Sequence, residues 1–245
     1  MMSKESCKMD MCNGPVLQKV IAFSLPLMLS SCLQLLFNAA DVIVVGRFAG
    51  STSLAAVGST TELLSLLTTL FIGFSIGANV NVARTLGNQD DQGTKDGIHT
   101  AVSVSILSGS AMILLGFLFG RPMLQWMGTP ADVIDKASLY LMIIFIGMPS
   151  NMAYNFGSAI LRAMGDTKRP LYFLSAAGVL NVVLNLIFVI VLHMDVAGVA
   201  LATILSETLS AVLILNCLCR TDGPCHLNIR KLYIQKDQLI RMLRI

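Results

Sequence analysis

Apolar residues in this chain are grouped into six long runs that short polar segments separate. The runs cover residues 16–45, 54–83, 98–119, 137–161, 170–193 and 196–219. A helix that crosses the hydrocarbon core of a bilayer needs ~20 predominantly apolar residues, and every run reaches that length. The pattern therefore predicts an all-α membrane protein whose six-transmembrane-helix bundle occupies 16–219. We expect a polar N-terminal tail at 1–15 and, after the bundle, a basic segment at 220–245.

The segments between the runs predict how the helices are joined and bent. We expect polar loops at 84–97, 121–136 and 162–170 and tight turns at 46–53 and 193–196. Pro26 and Pro149 lie inside runs, where each removes one intrahelical hydrogen bond and favours a kink. Such a kink either lets the helix bend between two states or is a fixed feature of helix packing, and the sequence leaves both open.

Lys and Arg residues are distributed unequally between the two ends of the predicted bundle. Of the 17 Lys and Arg residues, all but Arg47, Arg121 and Lys136 fall in the end segments, the start of the first helix, or the second and fourth connections. Cytoplasmic segments of membrane proteins carry the excess of these residues. We therefore expect a multi-pass protein of the prokaryotic inner or plasma membrane, in contact with lipid, with the tail at 1–15 and the segment at 220–245 in the cytoplasm.

The composition excludes several classes of function. Hydrophobic residues make up 55% of the chain and charged residues 13%, whereas a soluble domain carries about 25% charged residues. The net charge of +3 forms no basic face, so we expect no nucleic-acid partner. The sequence contains no H-E-x-x-H or G-x-S-x-G motif, which favours a transporter over an enzyme. Cysteines and a histidine near the last helix end match no strong zinc signature, and these are Cys217, Cys219, Cys225 and His226.

A carboxylate lies inside the first apolar run. Gln34, Asn38 and Asp41 occupy helical positions i, i+4 and i+7, so the three side chains share one face. A charged residue at mid-bilayer depth costs ~2.5–3.5 kcal/mol on insertion scales, which makes an intramembrane acid a candidate functional group. Because burial disfavours the charged form of a carboxylate, Asp41 would bind a proton, or Na⁺ together with neighbouring oxygens. An interhelical hydrogen bond is the alternative, but such bonds average only ~0.6 kcal/mol in membranes.

Polar residues also recur at helical spacing in the later runs. The fifth run carries Asn181 and Asn185 at i and i+4, and Thr203 lies in the outer half of the sixth. Their depths are compatible with one site shared with Asp41, although Asn also joins helices and that alternative stays open. Other polar groups within the runs are candidates for lining a cavity, namely Gln34, Asn38, Glu62, Asn151, Asn155, Ser206 and Glu207.

Several sequence stretches, in order along 16–219, resemble the multidrug and toxic compound extrusion (MATE) family. They are SLPLMLSSCLQ, FNAADVIVVGRFAG, FIGFSIGANVNVARTLGNQD, MPSNMAYNFGSAILRAMGDTKRPL, LNVVLN and GVALATILSE. The resemblance implies a cation-coupled antiporter that exports small organic, often cationic, compounds with an inward H⁺ or Na⁺ gradient and no other cofactor. It also implies two pseudo-symmetric six-helix lobes around a central cavity. The family's cation or proton site maps onto Asp41, Asn181, Asn185 and Thr203.

Two departures from the family pattern qualify this interpretation. Some members have Asp where this chain has Asn185, so H⁺ and Na⁺ both remain open as the coupling ion. The chain corresponds to one lobe, and we expect 220–245 to be a linker towards a second. A truncated gene is favoured over a dimerising half, because a single lobe leaves its polar cavity face uncovered. A flippase of lipid-linked oligosaccharides, a non-transporting scaffold and an inactive truncated remnant remain as alternatives.

Overall fold

The computed structural model describes residues 16–221 and 223–244, and all the regular elements within these ranges are helices. The elements are α1 (Val16–Phe48), α2 (Ser51–Gly87), α3 (Asp91–Trp126), α4 (Ile134–Ala163), α5 (Lys168–Asn185), α6 (Asp195–Cys219) and the short α7 (Lys236–Leu243). The first six are long and apolar enough to cross a membrane. The predicted all-α six-helix bundle is therefore confirmed, while the tail at 1–15 lies outside the described residues.

The helices extend well beyond the apolar runs, and the predicted bounds of all three polar loops, including 162–170, are wrong. The connection within 84–97 is only a short turn, because Asp90 caps α3 by accepting the Gly93 N–H at 2.9 Å. The connection within 121–136 is shortened too, since α3 continues through Pro122 to Trp126. Apolar runs mark the part of a helix that lies in lipid, whereas hydrogen bonding carries the helix on into polar surroundings.

The fourth helix forms the centre of the bundle and the first lies at its edge. In the most apolar window, 61% of the α4 residues are buried but only 6% of the α1 residues. Helix α3 packs closely on α4, because a Cβ on Gly109 would lie 2.4 Å from Pro149 Cα. A Cβ on Gly116 would lie 2.0 Å from Phe145 Cδ2. Small residues let the two backbones approach, as they commonly do in membrane bundles.

The fifth helix changes its winding at Leu186–Val191, where the backbone forms a π-helical stretch. The sequence analysis did not predict this change. The stretch begins directly after Asn185 and is followed by positive φ angles at His193 (51°) and Asp195 (55°). Such wide turns are rare and recur at functional sites.

We call the end of the bundle that carries Val16 and α7 the terminal end, and the other the opposite end. At the opposite end, Lys136 Nζ on α4 donates to Asp195 Oδ2 on α6 at 2.5 Å and to Ser53 Oγ on α2 at 2.9 Å. Three helices are therefore tied together there. This contact fixes α6 relative to α4, and these two helices carry most of the polar side chains described below.

The stretch at 223–244, which we call the terminal segment, folds back against the terminal end of α2 and α3. Its helix α7 buries Gln238 and Met242, and Leu227 upstream is also buried. Gln238 Oε1 accepts a hydrogen bond from Asn81 Nδ2 on α2 at 2.7 Å. The segment is thus part of the packed lobe along most of its described length.

Candidate functional site

A continuous series of hydrogen bonds joins α1, α5 and α6 through the four residues that the sequence singled out. Asn185 Nδ2 donates to Asp41 Oδ1 at 2.5 Å and to Asn181 Oδ1 at 3.2 Å, and Asn181 Nδ2 donates to Thr203 Oγ1 at 3.4 Å. We call these four residues the Asp41 cluster. The i, i+4 spacing places both asparagines on the face of α5 that turns inward, where both are buried.

The Asp41 cluster contains an acceptor that has no donor. Asn185 is 0% exposed, and within the described residues its Oδ1 atom has no hydrogen-bond partner. Leaving such a buried group unpaired costs ~1–3 kcal/mol. A small cation bound between Asn185 Oδ1 and the Asp41 carboxylate would satisfy that oxygen, and a proton on Asp41 would give the cluster a further donor. Both are the ligands that the sequence suggested for Asp41.

The cluster forms part of the wall of a cavity of about 510 Å³ that runs between α1, α2, α4, α5 and α6. This volume is in the range of sites for drug-sized molecules. The structure brings most of the sequence candidates to this wall, namely Gln34, Asn38, Asp41, Asn151, Asn155, Asn181, Thr203, Ser206 and Glu207. Asn185 lies directly behind Asp41 as its hydrogen-bond partner.

Glu62 does not belong to the site, and its assignment as a cavity-lining residue is wrong. The neighbouring residue Thr61 lines the cavity, while Glu62 is exposed on another face of α2. Successive residues on an α-helix point about 100° apart. The sequence analysis located the right part of α2 but did not determine which face turns inward.

Several lining residues were missed by the sequence analysis. Helix α2 contributes the hydroxyl groups of Thr61, Ser65 and Thr68, and α4 contributes the rings of Tyr140 and Tyr154. The spacing of the α2 hydroxyls, with gaps of four and three residues, is the helical period that identified the other polar faces. This period in α2 was therefore a signal in the sequence that could have identified these residues.

The α6 hydroxyl groups present oxygen lone pairs rather than protons to their surroundings. Thr203 donates to Val199 O at 3.0 Å, Ser206 to Thr203 O at 2.8 Å and Ser210 to Glu207 O at 2.8 Å. Because each hydroxyl proton is used within the helix, the oxygen is left as an acceptor. With the carboxylates of Asp41 and Glu207, this wall attracts positively charged groups.

Within the described residues, the cavity wall holds no positively charged side chain. Among the lining residues that the structure describes, none is Lys, Arg or His. Across residues 16–221 and 223–244, no three His, Cys, Asp or Glu side chains are grouped as they would be around a metal ion. Among the described lining residues, the charged groups of the wall are thus carboxylates.

The chain is similar to membrane proteins that export drugs. The MatE family model matches residues 26–187. A probable multidrug resistance protein, YpnP of Bacillus subtilis, is 34% identical over 202 residues, which are 81% of this chain and 44% of that protein. The multidrug export protein MepA of Staphylococcus aureus is 23% identical over 233 residues, 95% of this chain and 52% of MepA. The chain thus spans about half the length of these curated relatives.

A solved structure shows the same arrangement of helices. A crystal structure of MATE in the bent conformation superposes with a TM-score of 0.87 and 27% identity, covering 94% of this chain and 52% of that one. The matched part is one half of the solved chain. With the family model covering most of the membrane-spanning lobe, these findings show that the chain belongs to the MatE family, the multidrug and toxic compound extrusion transporters.

Proposed function

We propose that this chain forms one lobe of a cation-coupled antiporter that exports small organic molecules. The observation that carries the proposal is the Asp41 cluster, in which an intramembrane carboxylate contacts a buried asparagine whose own oxygen lacks a donor. An acid at this depth is costly unless it is used, and it borders a cavity large enough for an organic substrate. The names of the relatives support multidrug export as the class of activity.

The coupling ion would act by changing the charge of the Asp41 cluster. With H⁺ or Na⁺ bound, Asp41 is neutralised and helices α1, α5 and α6 stay together around it. Without the ion, the carboxylate charge favours a hydrated arrangement of the same helices. A transporter that alternates between two states needs such a difference in ion affinity, because a ligand shifts an equilibrium only through its differential binding.

The proposal also includes a second lobe and an orientation in the membrane. A second six-helix lobe, in the same polypeptide or in another copy, would close the cavity along α1 and α2, since the solved MATE chain is about twice as long. The terminal end, where Lys and Arg residues concentrate, would face the cytoplasm of a prokaryotic cell. The segment at 220–245 would then lead towards that second lobe on the cytoplasmic side.

The test is export into vesicles under imposed ion gradients. The chain is reconstituted with its second lobe, and efflux of a fluorescent organic cation is driven by an H⁺ or a Na⁺ gradient. Asp41→Asn is expected to abolish gradient-driven export while leaving membrane insertion intact, because the new amide oxygen can still accept from Asn185. Glu62→Gln is the matched control, since it makes the same chemical change at an exposed carboxylate outside the cavity.

Gradient-driven export that persists in full with Asp41→Asn would contradict the coupling role. Translocation of lipid-linked sugars without dependence on either gradient would favour the flippase alternative instead. The gradient that drives wild-type export, H⁺ or Na⁺, identifies the coupling ion.

A further inference from the structure

A second carboxylate lies on the same cavity wall and is held by a different helix. Glu207 on α6 is one helical turn from Thr203, and its Oε1 atom accepts a hydrogen bond from Asn151 Nδ2 on α4 at 2.7 Å. The Asp41 cluster joins α1, α5 and α6, whereas Glu207 is held from α4. The two carboxylates are therefore oriented independently of each other.

The orientation of Glu207 is fixed by two amides in series. Asn155 Nδ2 donates to Asn151 Oδ1 at 2.9 Å and to Asn151 O at 3.0 Å. This leaves the Asn151 amide nitrogen turned towards Glu207, where it donates. The other carboxylate oxygen, Oε2, has no hydrogen-bond partner among the described residues and is not sealed off from the cavity. One oxygen of Glu207 is thus held in place while the other remains available.

Among the described residues, no positively charged side chain in the cavity balances Glu207. None of the described lining residues is a cation, and Asp41 is close enough to Glu207 for the two carboxylates to repel each other. Tyr140 lines the same cavity as both acids and brings an aromatic side chain to its wall. An aromatic ring beside an acid favours a positively charged ligand through cation–π attraction.

The Asp41 and Glu207 carboxylates differ in how much room surrounds them. At Asp41 the nearest polar atoms belong to a closely packed cluster, which suits a proton or a small ion. Glu207 faces the shared cavity of about 510 Å³, whose wall includes the apolar or aromatic side chains of Phe37, Met148 and Tyr154. That combination suits an organic body carrying one positive charge.

We propose that Glu207 binds the cationic group of the transported molecule, while the Asp41 cluster holds the coupling ion. The assignment rests on the proposed export function and adds a specificity-determining residue to it. The substrate class is an organic monocation with an aromatic body, whose charge meets Glu207 Oε2 and whose rings pack against the cavity aromatics. Asn151 and Asn155 are positioning residues that keep Oε2 turned to the substrate.

The experiment measures direct binding to the 245-residue chain in lipid nanodiscs, so that it does not depend on transport. The probes are ethidium, a planar aromatic monocation, and its uncharged phenanthridine parent at neutral pH. Wild type is expected to prefer ethidium. Glu207→Gln is expected to weaken ethidium binding by about tenfold, ~1.4 kcal/mol, and to leave the neutral parent unchanged. The new amide can still accept from Asn151, and Glu62→Gln is the control that leaves both affinities as in wild type.

Parallel measurements of Na⁺ binding and of proton release separate this proposal from the coupling proposal. Glu207→Gln is expected to leave both ion signals intact, while Asp41→Asn abolishes whichever of them wild type shows. If Asp41→Asn leaves the ion signals whole, the coupling proposal fails and the Glu207 assignment still stands on its ethidium result.

Three results would overturn the Glu207 assignment. They are equal binding of both probes by wild type, unchanged ethidium binding in Glu207→Gln, and loss of an ion signal with ethidium binding retained. If the Gln variant does not fold, Glu207→Asp provides the test. Because its shorter side chain moves the carboxylate back from the cavity, it should weaken ethidium binding and leave the neutral parent unchanged, and unchanged ethidium binding in a folded protein would refute the assignment.

Discussion

Removing the hydrogen bond between Asn81 and Gln238 tests how strongly the terminal segment is held against the lobe. Both side chains are nearly inaccessible, at 3% and 5% exposed, and they are joined at 2.7 Å. Asn81→Leu removes the donor and leaves Gln238 Oε1 buried without a partner. A buried polar group left in that state costs ~1–3 kcal/mol, so the docked segment should be destabilised by that amount.

Limited trypsin digestion reports this change, because the segment carries exposed cleavage sites at Lys231, Lys236 and Arg241. When opening and closing are fast relative to cleavage, the cleavage rate follows the population of the open segment. A cost of ~1–3 kcal/mol then predicts cleavage ~5- to ~150-fold faster than in wild type. Ser31→Ala, which removes an exposed hydroxyl on α1, is the control and should leave the rate unchanged.

The double variant with Asn81→Leu and Gln238→Leu makes the test stricter. Replacing both partners removes the unpaired group, so cleavage should be slower than in either single variant, with a coupling free energy of ~0.5–3 kcal/mol. Additive effects of the two substitutions, or an unchanged rate in Asn81→Leu, would refute the conclusion that this buried pair holds the segment.

Two further predictions concern packing and ionisation. Gly116→Ala places a Cβ 2.0 Å from Phe145 and should lower stability by ~1–3 kcal/mol in thermal unfolding in detergent, whereas Gly58→Ala, with open space around it, should not; equal unfolding temperatures would contradict this. Partial removal from water, and then its hydrogen bond to Asp96, raise the pKa of Tyr233 to about 12. The protonated Tyr233 hydroxyl should therefore stabilise the docked terminal segment below pH ~10, and this stabilisation should be lost as the pH rises towards 12. The absorbance titration of wild type minus that of Tyr233→Phe reports the pKa of Tyr233, and a midpoint near 10 would refute the prediction.

The membrane helices and the Asp41 cluster could be predicted because each leaves a local trace in the sequence. A lipid-crossing helix must be apolar along its length, so an isolated acid such as Asp41 is conspicuous. The i, i+4 spacing of Asn181 and Asn185 shows which face of α5 turns inward. The depths of these residues are only compatible with one shared site, and it is the resemblance to the family that implies that they meet.

Other features depend on contacts between distant parts of the chain and leave no such trace. The π-helical stretch after Asn185 is an ordinary apolar run in the sequence, and in the fold it packs against α6 and α1. The docking of the terminal segment depends on residues more than 100 positions apart, such as His99 and Tyr233, whose rings stack at 5.2 Å. The face on which Glu62 lies is likewise decided by how α2 packs.

Asn185, where some members of the family have Asp, affects how the carboxylates are distributed over the cavity. An aspartate there would put two acids into one tight cluster, where their repulsion would have to be offset by the same ion. This chain has a neutral amide at that position and a second carboxylate on the next helix, held by Asn151 and open to the larger space. Under the two proposals above, the coupling ion and the organic cation would each use a carboxylate of their own within one cavity. A positive charge bound at one acid lowers the affinity of the other acid for its own cation, so the two sites are coupled negatively even though the ligands do not touch, as an antiporter requires.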